Sequence, residues 1–255
     1  MASVARRGEA RKARDVFLAR TAAAGPAGDD DRRAITGSVI DIVSASSDGV
    51  IPIAPGPSPA LALIVEGWVY RAHMLADGGR QITDILLPGD VVGTTAASRD
   101  MGHDIRACGR ARVAMLRRDV VTGRDSLSLR HRWEWMRDAE ARSLRSRLVS
   151  LGRRDACGRV AHFMAEMHGR LRQVGLVEDD AFTCPLTQEQ LADVLGLTPV
   201  HVNRVLQRLR RDGLILFNRP RVVVPDLARL HAAGCYEGPC DVRPASLAEQ
   251  FGARP

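Results

Sequence analysis

The sequence predicts an α+β fold: an antiparallel β-roll or jelly roll, then a long central helix, then a winged helix-turn-helix. Three observations support this prediction. Short apolar runs separated by turn residues fill the first half, a long proline-free stretch with apolar residues three or four apart follows, and a compact helix-turn-helix pattern comes after it. We divide the chain into the regions 1–34, 35–120, 121–152, 153–230 and 231–255.

The composition is that of a basic globular protein. The chain has 255 residues, 45% of them hydrophobic and 4% aromatic, and its formal net charge is +7. A basic balance favours polyanionic partners, either nucleic acid or an anionic membrane surface. However, Lys12 is the only lysine, and an arginine-rich, lysine-poor chain is also typical of a GC-rich genome. Charge alone therefore does not identify the partner.

The sequence also predicts the cellular compartment of the protein. Its longest uncharged run, 49–65, is interrupted by four prolines, and the N-terminus lacks the apolar region of a secretory signal. The five cysteines are an odd number at irregular spacing, which is not the pattern of a secreted disulfide framework. We expect a cytoplasmic protein that does not engage a membrane.

The first two regions differ in character. Residues 1–34 are rich in Ala, Arg and Asp, and we expect a short helix followed by a mobile arm. Residues 35–120 alternate short apolar runs with turns, including a hairpin signal at 77–79 and a last strand over Ala111–Leu116. Because long helical patterns are missing from this region, a β-roll fits it better than βαβ units.

Positions 124–152 predict one long helix with an apolar stripe. The residues of this stripe are Leu129, Trp133, Met136, Leu144, Leu148 and Leu151. Such a stripe either packs on the β-domain of its own chain or meets a second copy in a two-helix seam. We favour the seam, which predicts a homodimer.

The segment 187–213 carries the strongest functional signal. Thr187 is a suitable N-cap for a first helix over 188–195, and Gln190 completes a capping box. Gly196 stands where a tight turn requires positive φ, a conformation that glycine adopts without steric cost.

A second helix follows this turn. Thr198 caps it, Pro199 takes its first position, and Gly213 ends it. The residues expected to pack between the two helices are Leu191, Ala192, Leu195, Leu197, Val202 and Val205. This combination of caps, a turn glycine and a small residue at the crossing indicates a DNA-binding helix-turn-helix.

The outer face of the second helix carries the candidate DNA contacts. Arg204 is suited to guanine O6 and N7, Asn203 to a base edge or a phosphate, and Val200 to a thymine methyl group. The complete set on this motif is Thr187, Thr198, Pro199, Val200, His201, Asn203, Arg204, Gln207 and Arg208. We assign Thr187, Thr198, His201 and Arg208 to phosphate, and a solvated helix face is the alternative for the last arginines.

Residues 214–224 predict a β-wing behind this helix. Two short apolar runs flank Asn218-Arg219-Pro220-Arg221. Arg219 and Arg221 at the tip are candidate phosphate contacts, and an ordinary basic hairpin is the alternative.

Together these segments resemble the Crp/Fnr superfamily over about residues 35–230. The resemblance is carried by EGWVYR (66–71), DGGRQITDILLPGDVVG (77–93), the long central helix and LTQEQLADVLGLTPVHVNRVLQRLRRDGLI (186–215). It implies an effector-type β-roll, a dimerisation helix and a winged helix-turn-helix. It also implies that a homodimer binds a palindromic operator in double-stranded DNA, with RNA polymerase as a further partner.

Three departures from the family pattern restrict these implications. After Gly89-Asp90 the chain lacks the Arg-Ser or Arg-Thr pair of cyclic-nucleotide-binding members, so we expect no cyclic AMP. No cysteine precedes Cys108, so an N-terminal four-cysteine iron–sulfur cluster is not expected, and we expect no cofactor. Val200 stands where many members have Glu, which leaves the operator sequence open.

The remaining candidates are weaker. Cys184, just before the helix-turn-helix, is a candidate redox residue, with a structural thiol as the alternative. His231, Cys235 and Cys240 match no zinc spacing that we recognise, so we expect no metal, and without a catalytic motif we expect no enzyme.

The sequence therefore predicts a homodimeric, sequence-specific DNA-binding regulator. The alternative is a small-molecule or cyclic-nucleotide-binding module whose helical domain serves interaction and does not bind DNA.

Overall fold

The computed structural model describes residues 2–51, 60–93, 103–122 and 127–238. Its α-helices are α1 (Ala2–Arg20), α2 (Asp29–Ser38), α3 (Asp119–Thr122), α4 (Leu127–Arg153), α5 (Ala156–Gln173), α6 (Gln188–Leu195), α7 (Pro199–Arg211) and α8 (Leu227–Gly234). Its strands are β1 (Val39–Ala45), β2 (Ala60–Met74), β3 (Arg80–Leu86), β4 (Val91–Gly93), β5 (His103–Arg117), β6 (Ala181–Thr183), β7 (Leu216–Asn218) and β8 (Arg221–Val223). This is the predicted α+β architecture.

An antiparallel sheet of β1 to β5, here called the roll, forms the first half. Its order is β1-β5-β2-β3, with β4 also paired to β2. The long strand β2 bends at Gly67, where φ is +76° and an added Cβ would lie 2.0 Å from the Arg110 carbonyl oxygen. Only glycine fits this close approach, and the β2–β5 register shifts on both sides of Glu66. The last strand is longer than the predicted Ala111–Leu116 because it continues beyond the bulge.

The N-terminal region differs from the expected mobile arm. Helices α1 and α2 fill most of it, and α2 continues to Ser38, four residues into the region that we assigned to strands. Phe17 and Ile35 are buried in one cluster with Leu129. The prediction of an arm failed because a few apolar residues among many Arg, Ala and Asp residues are enough to anchor both helices on the sheet.

A buried arginine of α4 holds the end of α1 in place. Arg132 donates from Nη1 to the Thr21 carbonyl at 2.7 Å and from Nη2 to the Gly25 carbonyl at 2.6 Å. These bonds satisfy carbonyl groups in the turn that follows α1, and burial lowers the pKa of Arg132.

The C-terminal unit, defined as residues 156–238, shares a hydrophobic core with the roll. Tyr70 and Ile82 from the sheet belong to the same buried cluster as Met164 from α5 and Leu191 from α6. The region expected as a second domain, 153–230, is therefore docked on the roll through apolar contacts. Hydrophobic burial of this kind is the main stabilising contribution to such docking.

The chain beyond residue 230 begins inside a helix, which corrects the predicted tail. Helix α8 crosses that boundary, and Leu230 and Tyr236 are buried in the shared core. At Gly234 an added Cβ would lie 2.5 Å from the backbone nitrogen of His162, so α8 approaches α5 closely. Residues 239–255, including Cys240, lie outside the described residues.

Candidate nucleic-acid interface

Helix α6 and the turn after it follow the local sequence signals. Thr187 Oγ1 accepts from the Gln190 backbone N–H at 3.1 Å, and Gln190 Oε1 accepts from the Thr187 N–H at 3.0 Å. This reciprocal capping box starts α6 at Gln188, as predicted. Gly196 then adopts φ +62° and ψ +42°, the left-handed conformation expected for it.

Helix α7 begins at the predicted residues and packs on α6 with one face. Thr198 Oγ1 accepts from the His201 N–H at 3.2 Å, and Pro199 takes the first helical position. The expected core residues Leu191, Ala192, Leu195, Val202 and Val205 are buried, and Leu197 packs against them while partly exposed. Leu206 and Leu209 extend the buried face of α7. The helix is therefore held rigidly by its inner side.

The opposite face of α7 is directed to solvent. Val200 is 62% exposed, and Asn203, Arg204 and Gln207 are exposed without a hydrogen bond or ion pair to the described part of the chain. Arg208 is also exposed and lies 3.8 Å from the Asp212 carboxylate, a weak surface pair. Asn203, Arg204 and Gln207 therefore present hydrogen-bonding and cationic groups that no described residue satisfies.

The flanking residues of the predicted site lie around the same face. Thr198, Pro199 and His201 are exposed at the N-terminus of α7, and Thr187 is half-buried at the N-terminus of α6. Each threonine oxygen already accepts a capping bond, so its O–H remains able to donate to a phosphate oxygen.

The predicted wing is present, and it belongs to a small sheet of order β6-β8-β7. Arg219 and Arg221 are exposed at its tip, and Arg219 Nε donates to the Pro185 carbonyl at 3.1 Å. Strand β6, which pairs with β8, was not predicted because Ala181-Phe182-Thr183 is too short to show a clear alternation. Phe182 is buried, and this lone aromatic residue is the signal that sequence reasoning missed.

Comparisons with known proteins agree with this geometry. The family described as "Crp-like helix-turn-helix domain" matches residues 158–233. The transcriptional activator protein FnrL of Cereibacter sphaeroides is 31% identical over 176 residues, which cover 67% of this chain and 71% of FnrL. The chain belongs to the Crp/Fnr family of transcription regulators.

A second relative and a solved structure have similar identity to this chain. The nitrogen fixation regulation protein FixK of Bradyrhizobium diazoefficiens is 30% identical over 172 residues, covering 66% of this chain and 71% of FixK. The solved structure of FixK2 from Bradyrhizobium japonicum superimposes with a TM-score of 0.64 at 29% identity, covering 76% of this chain and 96% of FixK2. As a Crp/Fnr regulator with a Crp-like helix-turn-helix, this protein is a DNA-binding transcription regulator.

The residues expected at a Crp/Fnr dimer seam fall into two groups. Leu129, Trp133 and Met136 pack into the cluster that joins α1, α2 and the roll, so they are engaged within their own chain. Leu144 and Leu148 are exposed, the latter by 73%, and Leu151 is partly exposed. Leu129 and Met136 are therefore buried within their own chain, as in the alternative interpretation, and Trp133 packs against them while partly exposed. A dimer contact through Leu144, Leu148 and Leu151 stays a prediction.

Cys184 is placed in the shared core. Its side chain is fully buried, and burial raises the pKa of its thiol to about 12. A redox role requires an accessible thiolate, which this environment does not provide. The structure therefore favours the packing role for Cys184.

Polar contacts that the sequence does not reveal attach the DNA-binding unit to the roll. Arg80 Nε lies 2.7 Å from Asp193 Oδ2, which joins β3 to α6, and Gln81 Nε2 donates to the Asp193 carbonyl at 2.5 Å. Arg80 also lies over the Tyr70 ring, with its guanidinium carbon 5.7 Å from the ring centroid. These contacts fix the helix on which the recognition helix rests.

Asp90 is the centre of a second, deeply buried connection. Its carboxylate accepts from Arg20 Nε at 2.8 Å, from Arg170 of α5, and from the Leu87 N–H at 2.8 Å. Burial acts to raise the pKa of Asp90, but the charges of Arg170 and Arg20 outweigh it and hold the pKa below its ordinary value. One ionised carboxylate thus links α1, the roll and the DNA-binding unit.

The described residues contain neither a membrane-spanning helix nor a cluster of metal-binding side chains. No described helix is long and apolar enough to cross a membrane. No group of three or more His, Cys, Asp and Glu residues with metal-binding geometry occurs in the described ranges.

Proposed function

We propose that this regulator binds a palindromic operator as a homodimer, with α7 of each copy in the major groove. One observation carries the proposal: α7 buries its inner face, and the side chains of Asn203, Arg204 and Gln207 on its outer face have no partner among the described residues. A polar surface that is rigidly held and unsatisfied is suited to base edges and phosphates. Among the described residues, none covers Asn203, Arg204 or Gln207, which supports this proposal.

The exposed residues divide by chemistry into two roles. Arg204 has a fork of donors for guanine O6 and N7, Asn203 reaches a base edge or a phosphate, and Val200 offers a methyl contact to thymine. The residues assigned to phosphate are Thr187, Thr198, His201, Arg208, Arg219 and Arg221, and Pro199 and Gln207 complete the surface. Base contacts give sequence preference, and phosphate contacts give register and most of the salt-dependent affinity.

The dimer seam is supported by the C-terminal half of α4. Leu144, Leu148 and Val149 are all more than 40% exposed on this helix. Apolar residues on an otherwise charged helix are typical of a surface that a second copy covers. A pair of α4 helices would place two recognition helices on one face of the DNA, about one helical turn apart.

The direct test of recognition uses binding to genomic fragments. DNA selected from the organism's own genome defines the operator, and a gel shift then compares wild type with Arg204→Ala. We expect the variant to lose about 1–3 kcal/mol at one base pair of the site and to discriminate less there. The control is Arg33→Ala, an exposed arginine of α2 that pairs with Asp30. Equal operator affinity of wild type and Arg204→Ala would contradict the assignment.

The dimer is tested by Leu148→Glu. A carboxylate in an apolar seam should weaken association by on the order of 2 kcal/mol without unfolding the subunit, because Leu148 is exposed in the single chain. Sedimentation at several protein concentrations measures the shift, with Leu176→Glu as the control at an exposed leucine outside α4. A monomeric wild type, or a variant that dimerises as strongly as wild type, would rule out this seam.

Other elements of the proposal follow from this role. A regulator of chromosomal genes acts in the cytoplasm, and we propose RNA polymerase as its further partner and no catalytic activity. This part of the proposal is supported by the membership of the chain in a family of transcription regulators and by the exposed outer face of α7.

A further inference from the structure

The C-terminal ends of α6, α7 and α8 each accept hydrogen bonds from an arginine of another element. The last carbonyl groups of a helix have no partner within that helix, and a cation beside them also interacts favourably with the helix dipole. The three arginines are Arg159 at the end of α6, Arg229 at the end of α7 and Arg154 at the end of α8. We call them the capping arginines.

Arg159 of α5 holds the turn that leads into α7. Its Nη1 donates to the Leu195 carbonyl at 3.2 Å and, at the longer distance of 3.5 Å, to the Gly196 carbonyl. Its Nε donates to the Arg154 carbonyl at 3.0 Å. The side chain is partly exposed and forms no ion pair with a carboxylate in the ranges that the structure describes. The charge of Arg159 therefore acts on the carbonyl groups that end α6.

Arg229 of α8 holds the other end of the recognition helix. Its Nη2 donates at 3.0 Å to the carbonyl of Asp212, the residue that directly follows α7. The backbone of Arg229 is itself fixed in the first turn of α8, because its N–H donates to Asp226 Oδ1 at 3.0 Å. Contacts at both ends leave α7 less freedom to tilt than the packing of its inner face alone.

Arg154 connects these contacts to the central helix, because it lies in the short linker between α4 and α5. Its Nε donates to the Gly234 carbonyl at 3.0 Å and its Nη2 to the Cys235 carbonyl at 3.3 Å, both at the end of α8. Its own carbonyl accepts from Arg159. The linker thus contacts α8, which holds the end of α7, and α5, which holds the turn before α7.

We propose that Arg154, Arg159 and Arg229 are positioning residues that set the orientation of α7 relative to α4. They act through backbone carbonyl groups and not through contact with DNA. In a homodimer joined along α4, a fixed angle between α4 and α7 fixes the distance between the two recognition helices. The inference rests on the proposed function, because only an operator with two half-sites at one spacing requires this rigidity.

The test measures how operator affinity depends on the spacing of the half-sites. Full-length wild type and Arg159→Gln are titrated with the selected operator and with a version that has one more base pair between its half-sites. The added base pair moves one half-site by about 3.4 Å and rotates it by roughly 35°. Wild type should therefore bind the lengthened operator more weakly.

Arg159→Gln removes the charge and shortens the side chain. We expect it to bind the original operator about three- to tenfold more weakly than wild type, because part of the binding energy is used to order α7. It should also lose less affinity than wild type on the lengthened operator, because a loosely held α7 adapts to the new spacing. A loss of stability alone would lower the unfolding temperature and leave the spacing dependence unchanged.

Further variants separate positioning from other roles. Arg229→Gln should show the same two changes, since it loosens the opposite end of α7. Arg159→Lys keeps a positive charge at the end of α6 and should restore much of the spacing dependence. The control Arg172→Gln removes an exposed arginine at the far end of α5 and should behave as wild type. Thermal unfolding shows which variants are folded at the assay temperature.

The possible outcomes distinguish this inference from the proposed function. Wild-type affinity and spacing dependence in folded Arg159→Gln and Arg229→Gln would overturn the inference alone. A slope of log affinity against log salt that is lower by about 1 in Arg159→Gln would also overturn it, because Arg159 would then be a phosphate contact. If Arg159→Gln does not fold, the exposed Arg229 decides by the same criteria. Equal binding of wild type to both operators would instead contradict the proposed function.

Discussion

The two sides of the DNA-binding unit differ in whether their charged groups form ion pairs within the protein. On the side that faces the roll, Asp90 is bonded to Arg20 and Arg170, and Asp193 to Arg80. On the side that faces solvent, Arg204 has no carboxylate partner in the described part of the chain. The inward charged groups form ion pairs that hold the unit in place, whereas outward groups such as Arg204 are available to bind another molecule.

This difference separates the residues that position the DNA-binding unit from the residues proposed to recognise DNA. Losing an inward contact should change stability and the orientation of the whole unit, because buried charges are left without partners. Losing an outward contact should leave stability nearly unchanged, because the side chain was already solvated. The predictions below test this separation, beginning with the largest expected effect.

Asp90→Asn should be the most destabilising change on the inward side. Asparagine keeps the shape but removes the charge that the buried guanidinium groups of Arg20 and Arg170 share, so that Arg170 keeps only Glu166 as a carboxylate partner among the described residues. Breaking a buried pair costs about 3–5 kcal/mol. Urea denaturation at neutral pH measures the loss. Asp193→Asn is the matched control, since its pair with Arg80 is about one-fifth exposed, and it should cost about 1 kcal/mol or less.

The same variant should change the pH dependence of stability. Because the pKa of Asp90 is lowered in the folded protein, its contribution is complete above the ordinary value of 3.8 and is lost as pH falls through the folded pKa. The stability difference between wild type and Asp90→Asn should therefore narrow in acid below about pH 4. A difference that stays constant from neutral pH to acid would exclude an ionised Asp90.

Gly196 lies where the inward and outward sides meet. Gly196→Ala must hold a left-handed conformation at φ +62°, which costs about 1–2 kcal/mol in an L-residue, and its Cβ would also press on Leu151. Thermal unfolding should show the loss. In contrast, Gly37→Ala, at an exposed glycine of α2 with nothing within 4 Å of the added Cβ, should stabilise slightly. Equal effects of the two substitutions would contradict the role assigned to the turn.

Local signals predicted the outward side well. Helix α6 has the predicted bounds because a capping box and a turn glycine specify them within ten residues, and α4 runs from Leu127 to Arg153 against a predicted 124–152. The exposed positions of α7 follow from the same helical periodicity that buries its other face. Sequence reasoning therefore predicted which side chains of α7 are exposed, and their contacts with DNA stay predictions.

The inward side could not be predicted in this way. Arg80 and Asp193 are 113 positions apart, and Asp90 and Arg170 are 80 apart, so no local pattern pairs them. The assignment of Leu129 to a dimer seam failed for the same reason, because the helices that cover it come from the N-terminal region.

Arg221→Ala should have the smallest effect and the most specific signature. Arg221 is exposed at the tip of the wing, so the free protein should unfold at the same temperature as wild type. Loss of one phosphate contact should weaken operator and non-specific DNA alike and reduce the slope of log affinity against log salt by about 1. Titrations at several salt concentrations measure this slope, and Arg204→Ala provides the contrast, because it should lose discrimination between operator and unrelated DNA. An unchanged salt slope for Arg221→Ala would place the wing away from the phosphate backbone.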